Sequence, residues 1–190
     1  MKLAIIETGA NHASLQNAFQ RLGIEAPVLS DPQLLAKAER WVLPGVGHGG
    51  YAMNKLRSLN LIQLIRGTQK NVLGICLGMQ LLFEHLAEGN VQGLGLLPGS
   101  VMPLEPNPNF RVPHMGWNSI ELIKSSKLLK GLNLGEAFYF THSFACPDSV
   151  WTAAQTTEPR RIPSVVECNN FFWNSVSPRK VRSDRCRSPP

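Results

Sequence analysis

The 190-residue sequence is short of several features, and each shortage excludes a class of protein. No run approaches the roughly 18 consecutive apolar residues of a membrane-spanning helix, so no membrane partner is expected. The opening apolar stretch, Leu3-Ala4-Ile5-Ile6, is too short for a secretory signal. Cysteine is scarce: Cys76, Cys146, Cys168 and Cys186 stand alone, with no C-x-x-C pair. That spacing excludes a zinc ribbon and a disulfide-framed secreted domain. It predicts reduced thiols in a cytoplasmic protein, with no metal and no cofactor. Nowhere do Lys and Arg interleave with aromatics along a helix face. The net charge of +6 therefore needs locating. Arg179, Lys180, Arg182, Arg185 and Arg187 face only Asp184 in the last eighteen residues, which hold +4 of it. The body is close to neutral, and nucleic acid is not expected as a partner.

The whole chain is 43% hydrophobic and 17% charged, a composition suited to one globular domain. A chain of this length buries about 70% of its unfolded surface. Lys2–Ile6 reads as a buried strand ending at Thr8-Gly9. Leu15, Ala18, Phe19 and Leu22 space a helix that stops at Gly23. Ala26–Leu29 reads as a strand. Asp31-Pro32 opens a second helix through Leu34, Leu35 and Ala38. Trp41–Leu43 is a third strand, and helical spacing resumes through Met53, Leu56, Leu61, Leu64 and Ile65. Asn71–Ile75 is a fourth strand, followed by a helix over Met79–Leu86. This alternation predicts an α/β fold with a mostly parallel central sheet and helices on both faces. After Gly89 the strand-like runs shorten, at Trp117–Ile123, Ala137–Phe140, Val150–Ala154 and Ser164–Glu167. They predict a more antiparallel second half of the same domain. Residues 1–172 make up that domain. Residues 173–190 have no apolar periodicity and read as an aberrant, disordered basic tail.

One segment carries chemistry. Gly74-Ile75-Cys76-Leu77-Gly78 places a cysteine between glycines where the fourth strand meets a helix. This is the cysteine form of a nucleophile elbow, a turn too tight for neighbouring Cβ atoms. The helix start behind the thiol is expected to lower its pKa. A buried structural cysteine is the alternative reading.

Gly74–Leu82 resembles the nucleophile motif of the triad-type, class I glutamine amidotransferases. Leu43-Pro44-Gly45-Val46-Gly47 is similar to their oxyanion-strand motif. Gly93–Gly99, Pro113–Asn118 and Tyr139–Phe144 resemble the branch that serves imidazole glycerol phosphate synthase in histidine biosynthesis. The resemblance implies a flavodoxin-like fold and a glutaminase. Cys76 would be its nucleophile, and backbone N–H groups of Gly45, Val46, Gly47 and Leu77 its oxyanion donors. Gln80, His142, Ser143 and Phe144 would contact glutamine. The ammonia would pass to a cyclase subunit in a heterodimer. For His114 and His142 the competing reading is a pair of hydrogen-bonded core histidines.

The sequence also departs from this family. The resemblance implies a general base in a Gly-x-Gln-Phe-His-Pro-Glu stretch after Asn169–Phe172. The chain instead reads Trp173-Asn174-Ser175-Val176-Ser177-Pro178-Arg179-Lys180, with no histidine after His142. Codons permitted for Trp173–Lys180, read one base later, give Gly-Ile-Gln-Phe-His-Pro-Glu. Residues 173–190 are therefore expected to be an out-of-frame tail. The alternative is a catalytically impaired or silent docking subunit.

Overall fold

Apolar runs that cannot expose either face pair best in the middle of a parallel sheet. Strands β1 (Leu3–Ile6), β3 (Arg40–Leu43) and β4 (Asn71–Ile75) do this. The computed structural model describes residues 1–131, 137–157 and 159–174. Its larger sheet has nine strands, in the order β2-β1-β3-β4-β13-β12-β11-β8-β9. The added strands are β2 (Val28–Leu29), β8 (His114–Leu122), β9 (Ala137–His142), β11 (Thr152–Thr156), β12 (Pro163–Cys168) and β13 (Phe171–Asn174). Pairing is parallel from β2 to β13 and antiparallel from β13 to β9. The parallel half and the antiparallel half fall where the sequence places them.

Alternate residues of the central strands face opposite ways. Ala4, Ile6, Trp41, Leu43 and Val72 join one buried cluster with residues of α2 (Pro32–Ala36), α3 (Gly49–Ser58) and α4 (Ile62–Gly67). Ile5, Val42 and Ile75 join another, closed by Leu15 and Phe19 of α1 (Ala13–Arg21). Helices thus cover both faces. Asp31 caps α2, its side chain accepting from the Gln33 N–H at 2.7 Å and the Leu34 N–H at 3.3 Å.

Two expectations are corrected. The helix expected over Met79–Leu86 is only α5 (Leu77–Gln80), and the chain then runs into β5 (Phe83–Leu86). Leu81, Leu82, Phe83 and Leu86 are all fully buried. An apolar run buried on every side has no period to separate helix from strand. Strand β5 belongs to a second sheet, of four strands, with β6 (Val91–Gln92), β7 (Leu97–Pro103) and β10 (Phe144–Ala145). The second correction concerns the tail. Trp173 and Asn174 are not irregular but complete β13, pairing with Gly74 and Ile75 on one side and Val166 and Val165 on the other. A slot between two strands offers backbone partners to any residue, and Trp is a good strand former. Residues 175–190 lie outside the described residues.

Among the described residues no helix is long and apolar enough to cross a membrane, and no cluster of three His, Cys, Asp or Glu could hold a metal ion. Cys76, Cys146 and Cys168 are free thiols.

Candidate active site

Strand β4 ends at Ile75 and α5 begins at Leu77, leaving one residue to turn the chain. Cys76 makes that turn with φ 53° and ψ −113°, a conformation a side chain seldom adopts. Its carbonyl accepts at once from the Met79 N–H at 2.9 Å. Gly45 and Gly78 have a visible purpose. A Cβ on Gly78 would collide with the Leu43 carbonyl, and one on Gly45 with the Gly78 nitrogen and the Leu77 Cβ. The end of β3 and the elbow after β4 are packed backbone against backbone. This brings Pro44–Gly47 beside Cys76.

A cavity of about 450 Å³ opens there, within the usual range for a small-ligand site. Every residue that the resemblance assigns to the site lines it: Gly45, Val46, Gly47, Cys76, Leu77, Gln80, His142, Ser143 and Phe144. Glu88, Pro113 and Thr141 complete the wall. A small annex of about 70 Å³ shares Gly45, Val46, Cys76 and Thr141 and adds Asn11 and Ser14. A larger surface concavity of about 520 Å³, between Gln16 and Pro27, holds no nucleophile and offers no comparable chemistry.

Pro113 and Thr141 stand inside motifs already legible in the sequence. Glu88 does not. Its carboxylate accepts from the Gly49 N–H at 2.6 Å, at the start of α3, and only the fold brings it to the cavity. The helix start was expected to lower the Cys76 pKa; the structure reverses this. Burial pushes the thiol up, the Leu77 N–H opposes that, and the Glu88 carboxylate adds to the rise. Desolvation of the buried thiol outweighs that one backbone donor.

His114 and His142 are both buried, 8% exposed, and directly opposite on β8 and β9. His114 Nδ1 and His142 Nε2 are 3.0 Å apart, and His142 Nδ1 lies 2.8 Å from the Phe144 carbonyl oxygen. Their reading as hydrogen-bonded core histidines fits this geometry, and His142 faces the cavity as well. Gln80 donates to the same Phe144 carbonyl at 3.4 Å.

The model for the family "Glutamine amidotransferase class-I" matches residues 5–171, nearly the whole described chain. The chain belongs to that family. "Imidazole glycerol phosphate synthase subunit HisH" of Xanthomonas campestris is 46% identical over 166 residues, which is 87% of this chain and 83% of that protein. The HisH subunit of Xylella fastidiosa is 48% identical over 147 residues, 77% of this chain and 74% of that protein. A solved glutamine amidotransferase superposes with a TM-score of 0.71 at 18% identity, covering 94% of this chain and 91% of that one. Another, from Thermotoga maritima, gives 0.64 at 15%, covering 93% and 75%. These two likenesses speak for the fold alone, which is that of class I amidotransferases.

In this amidotransferase the elbow's close approach is open to test. Gly78→Ala drives a methyl group into the Leu43 carbonyl. Overpacking of this kind costs about 1–3 kcal/mol, more where backbone must move. Urea unfolding of Gly78→Ala is expected to show at least that loss, whereas Gly67→Ala, with open space around its Cβ position, should not.

Proposed function

We propose that this chain is the glutamine-hydrolysing subunit of imidazole glycerol phosphate synthase, acting in histidine biosynthesis in the cytoplasm. The observation that carries the reading is the single cavity in which the Cys76 elbow meets Gly45–Gly47 and His142–Phe144. The HisH relatives, at 46% identity over most of the chain, support the assignment to the synthase. The docking-only alternative gains no support from them.

In this reading the Cys76 sulfur attacks the carboxamide carbon of glutamine, and the carbonyl electrons move to oxygen. N–H groups of the Gly45–Gly47 segment and Leu77 stabilise that oxyanion as preorganised dipoles. Collapse expels the nitrogen as ammonia once it has taken a proton, leaving a glutamyl thioester on Cys76. Water then cleaves the thioester to glutamate and returns the thiol. Among the described residues Glu88 is the one acid on the wall, and it suits the α-ammonium of glutamine. The ammonia passes to a cyclase subunit, paired with this chain as a heterodimer, which makes imidazole glycerol phosphate and AICAR.

A raised thiol pKa makes the general base essential. His142 is poorly placed for that role. Its Nδ1 donates to a carbonyl and its Nε2 faces His114, so both nitrogens are engaged. The displaced reading frame supplies a better candidate. Asn174 pairs with Ile75, one residue before the nucleophile, so β13 reaches the level of the Cys76 elbow. In Gly-Ile-Gln-Phe-His-Pro-Glu the histidine stands three positions past Asn174, with the glutamate to orient it. The family match, which stops at Phe171, agrees with a break just after it.

The experiment is a cyclisation assay with the cyclase subunit, comparing glutamine with ammonium salt as nitrogen source. The frame-restored chain is expected to make glutamine an effective donor. Cyclisation with ammonium only, however much of the chain is added, would overturn the reading.

A further inference from the structure

We propose that His114 is a positioning residue for glutamine, acting through His142. A one-way chain of hydrogen bonds from Asn118 through both imidazoles ends on the Phe144 carbonyl and holds that wall of the cavity against the nucleophile's helix. The proposal rests on the glutaminase reading.

The direction of the chain follows from what each end can do. A carbonyl oxygen only accepts, so His142 Nδ1, 2.8 Å from the Phe144 oxygen, carries a proton. Burial favours the neutral form of both rings, and His114 is held down to about 4 by burial and by its neighbour His142. With His142 neutral and protonated on Nδ1, its Nε2 is an acceptor. His114 Nδ1, 3.0 Å away, must then donate to it. His114 Nε2 is left as an acceptor, and the Asn118 amide nitrogen stands 3.4 Å from it. No other neutral assignment satisfies all three contacts. Phe140 stacks on His114 at 5.0 Å and 23°, which fixes the ring plane.

The far end of the chain is where function enters. His142 ends β9 in the large sheet and Phe144 begins β10 in the small one. The Phe144 carbonyl also accepts from Gln80, four residues after Cys76 on α5. The wall formed by Ser143 and Phe144 is thereby tied to the element that carries the thiol. His114 touches neither glutamine's cavity nor Cys76. It acts by keeping His142 in one tautomer.

Two substitutions separate this from simple space filling. His114→Asn places an amide donor near the position of Nδ1, whereas His114→Gln comes closer to histidine in volume and places its amide near Nε2. Long-range ¹H–¹⁵N spectra of the full labelled chain report the tautomers, and titration with L-glutamine reports affinity. The unaltered chain is expected to show both rings protonated on Nδ1, the form that neutral imidazole disfavours in water. His114→Asn should keep the His142 tautomer and bind glutamine within about threefold, while His114→Gln should lose the tautomer and bind roughly tenfold more weakly, as for one lost buried hydrogen bond. Equal binding by the two variants, or better binding by His114→Gln, would overturn the positioning role. Nε2 protonation of either ring in the unaltered chain would overturn the hydrogen-bond chain itself. If the unaltered chain shows both tautomers but no glutamine binding, the glutaminase reading falls and the positioning role with it.

Discussion

Replacing Cys76 with alanine is expected to abolish glutamine-dependent turnover in the frame-restored enzyme, a loss on the order of 10⁶ in kcat. The size follows from the chemistry. Without the sulfur there is no thioester, and water alone would have to attack an unactivated carboxamide. Oxyanion donors and binding contacts remain, but they account for only about 10³–10⁴ over the uncatalysed rate in comparable enzymes. Ammonia-dependent cyclisation should be untouched, because the thiol meets only glutamine. Fold is not the issue at this position: Cys76 holds a strained φ of 53°, and alanine bears that strain no worse than cysteine. Glutamine-dependent turnover within tenfold of the parent would remove Cys76 from the mechanism. Loss of both activities would instead point to a disturbed partner interface.

The second large effect separates the chain as it stands from its frame-restored form. Changing Trp173–Arg179 to Gly-Ile-Gln-Phe-His-Pro-Glu, with the rest of the displaced frame, is expected to raise glutaminase turnover at least about 10³-fold. A serine enzyme would lose more without its base, but a thiol is always partly ionised. Burial and Glu88 work against that advantage here, since both raise the Cys76 pKa. His142 cannot fill the vacancy while it donates to Phe144 and faces His114. Stability should rise with activity. Position 174 lies between the apolar β4 and β12, and the displaced frame puts isoleucine there instead of Asn174. Steady-state rates of the two forms with the cyclase, and their urea midpoints, read both effects. Turnover of the present chain within tenfold of the restored one would mean that another residue takes the proton.

How much of this could be read beforehand depended on what kind of signal each feature leaves. The contact between the Cys76 elbow and Pro44–Gly47 is written in Gly45 and Gly78, whose missing Cβ atoms are a steric necessity, so sequence and structure agree there. The central strands announce themselves by apolar runs capped with turns. Met79–Leu86 misled because Met79–Phe83 is an unbroken buried run, which shows neither a helical nor a strand period. The four-stranded second sheet was hidden for a related reason: β6 and β10 are two residues each, below the length at which alternation shows. Glu88 reaches the cavity through one hydrogen bond to Gly49, thirty-nine residues away in sequence, and no local pattern encodes that. The thiol's pKa is not legible in the motif, which reveals the dipole of a helix start but not the desolvation around it.

The central claim, that Cys76 forms a glutamyl thioester, has a direct test. The frame-restored chain with its cyclase would be mixed with glutamine, quenched in acid during turnover and digested for mass spectrometry. The account predicts a glutamyl group on the peptide containing Cys76 and none on those containing Cys146 or Cys168. A glutamyl adduct on either of those cysteines, or turnover with no adduct at Cys76, would contradict it.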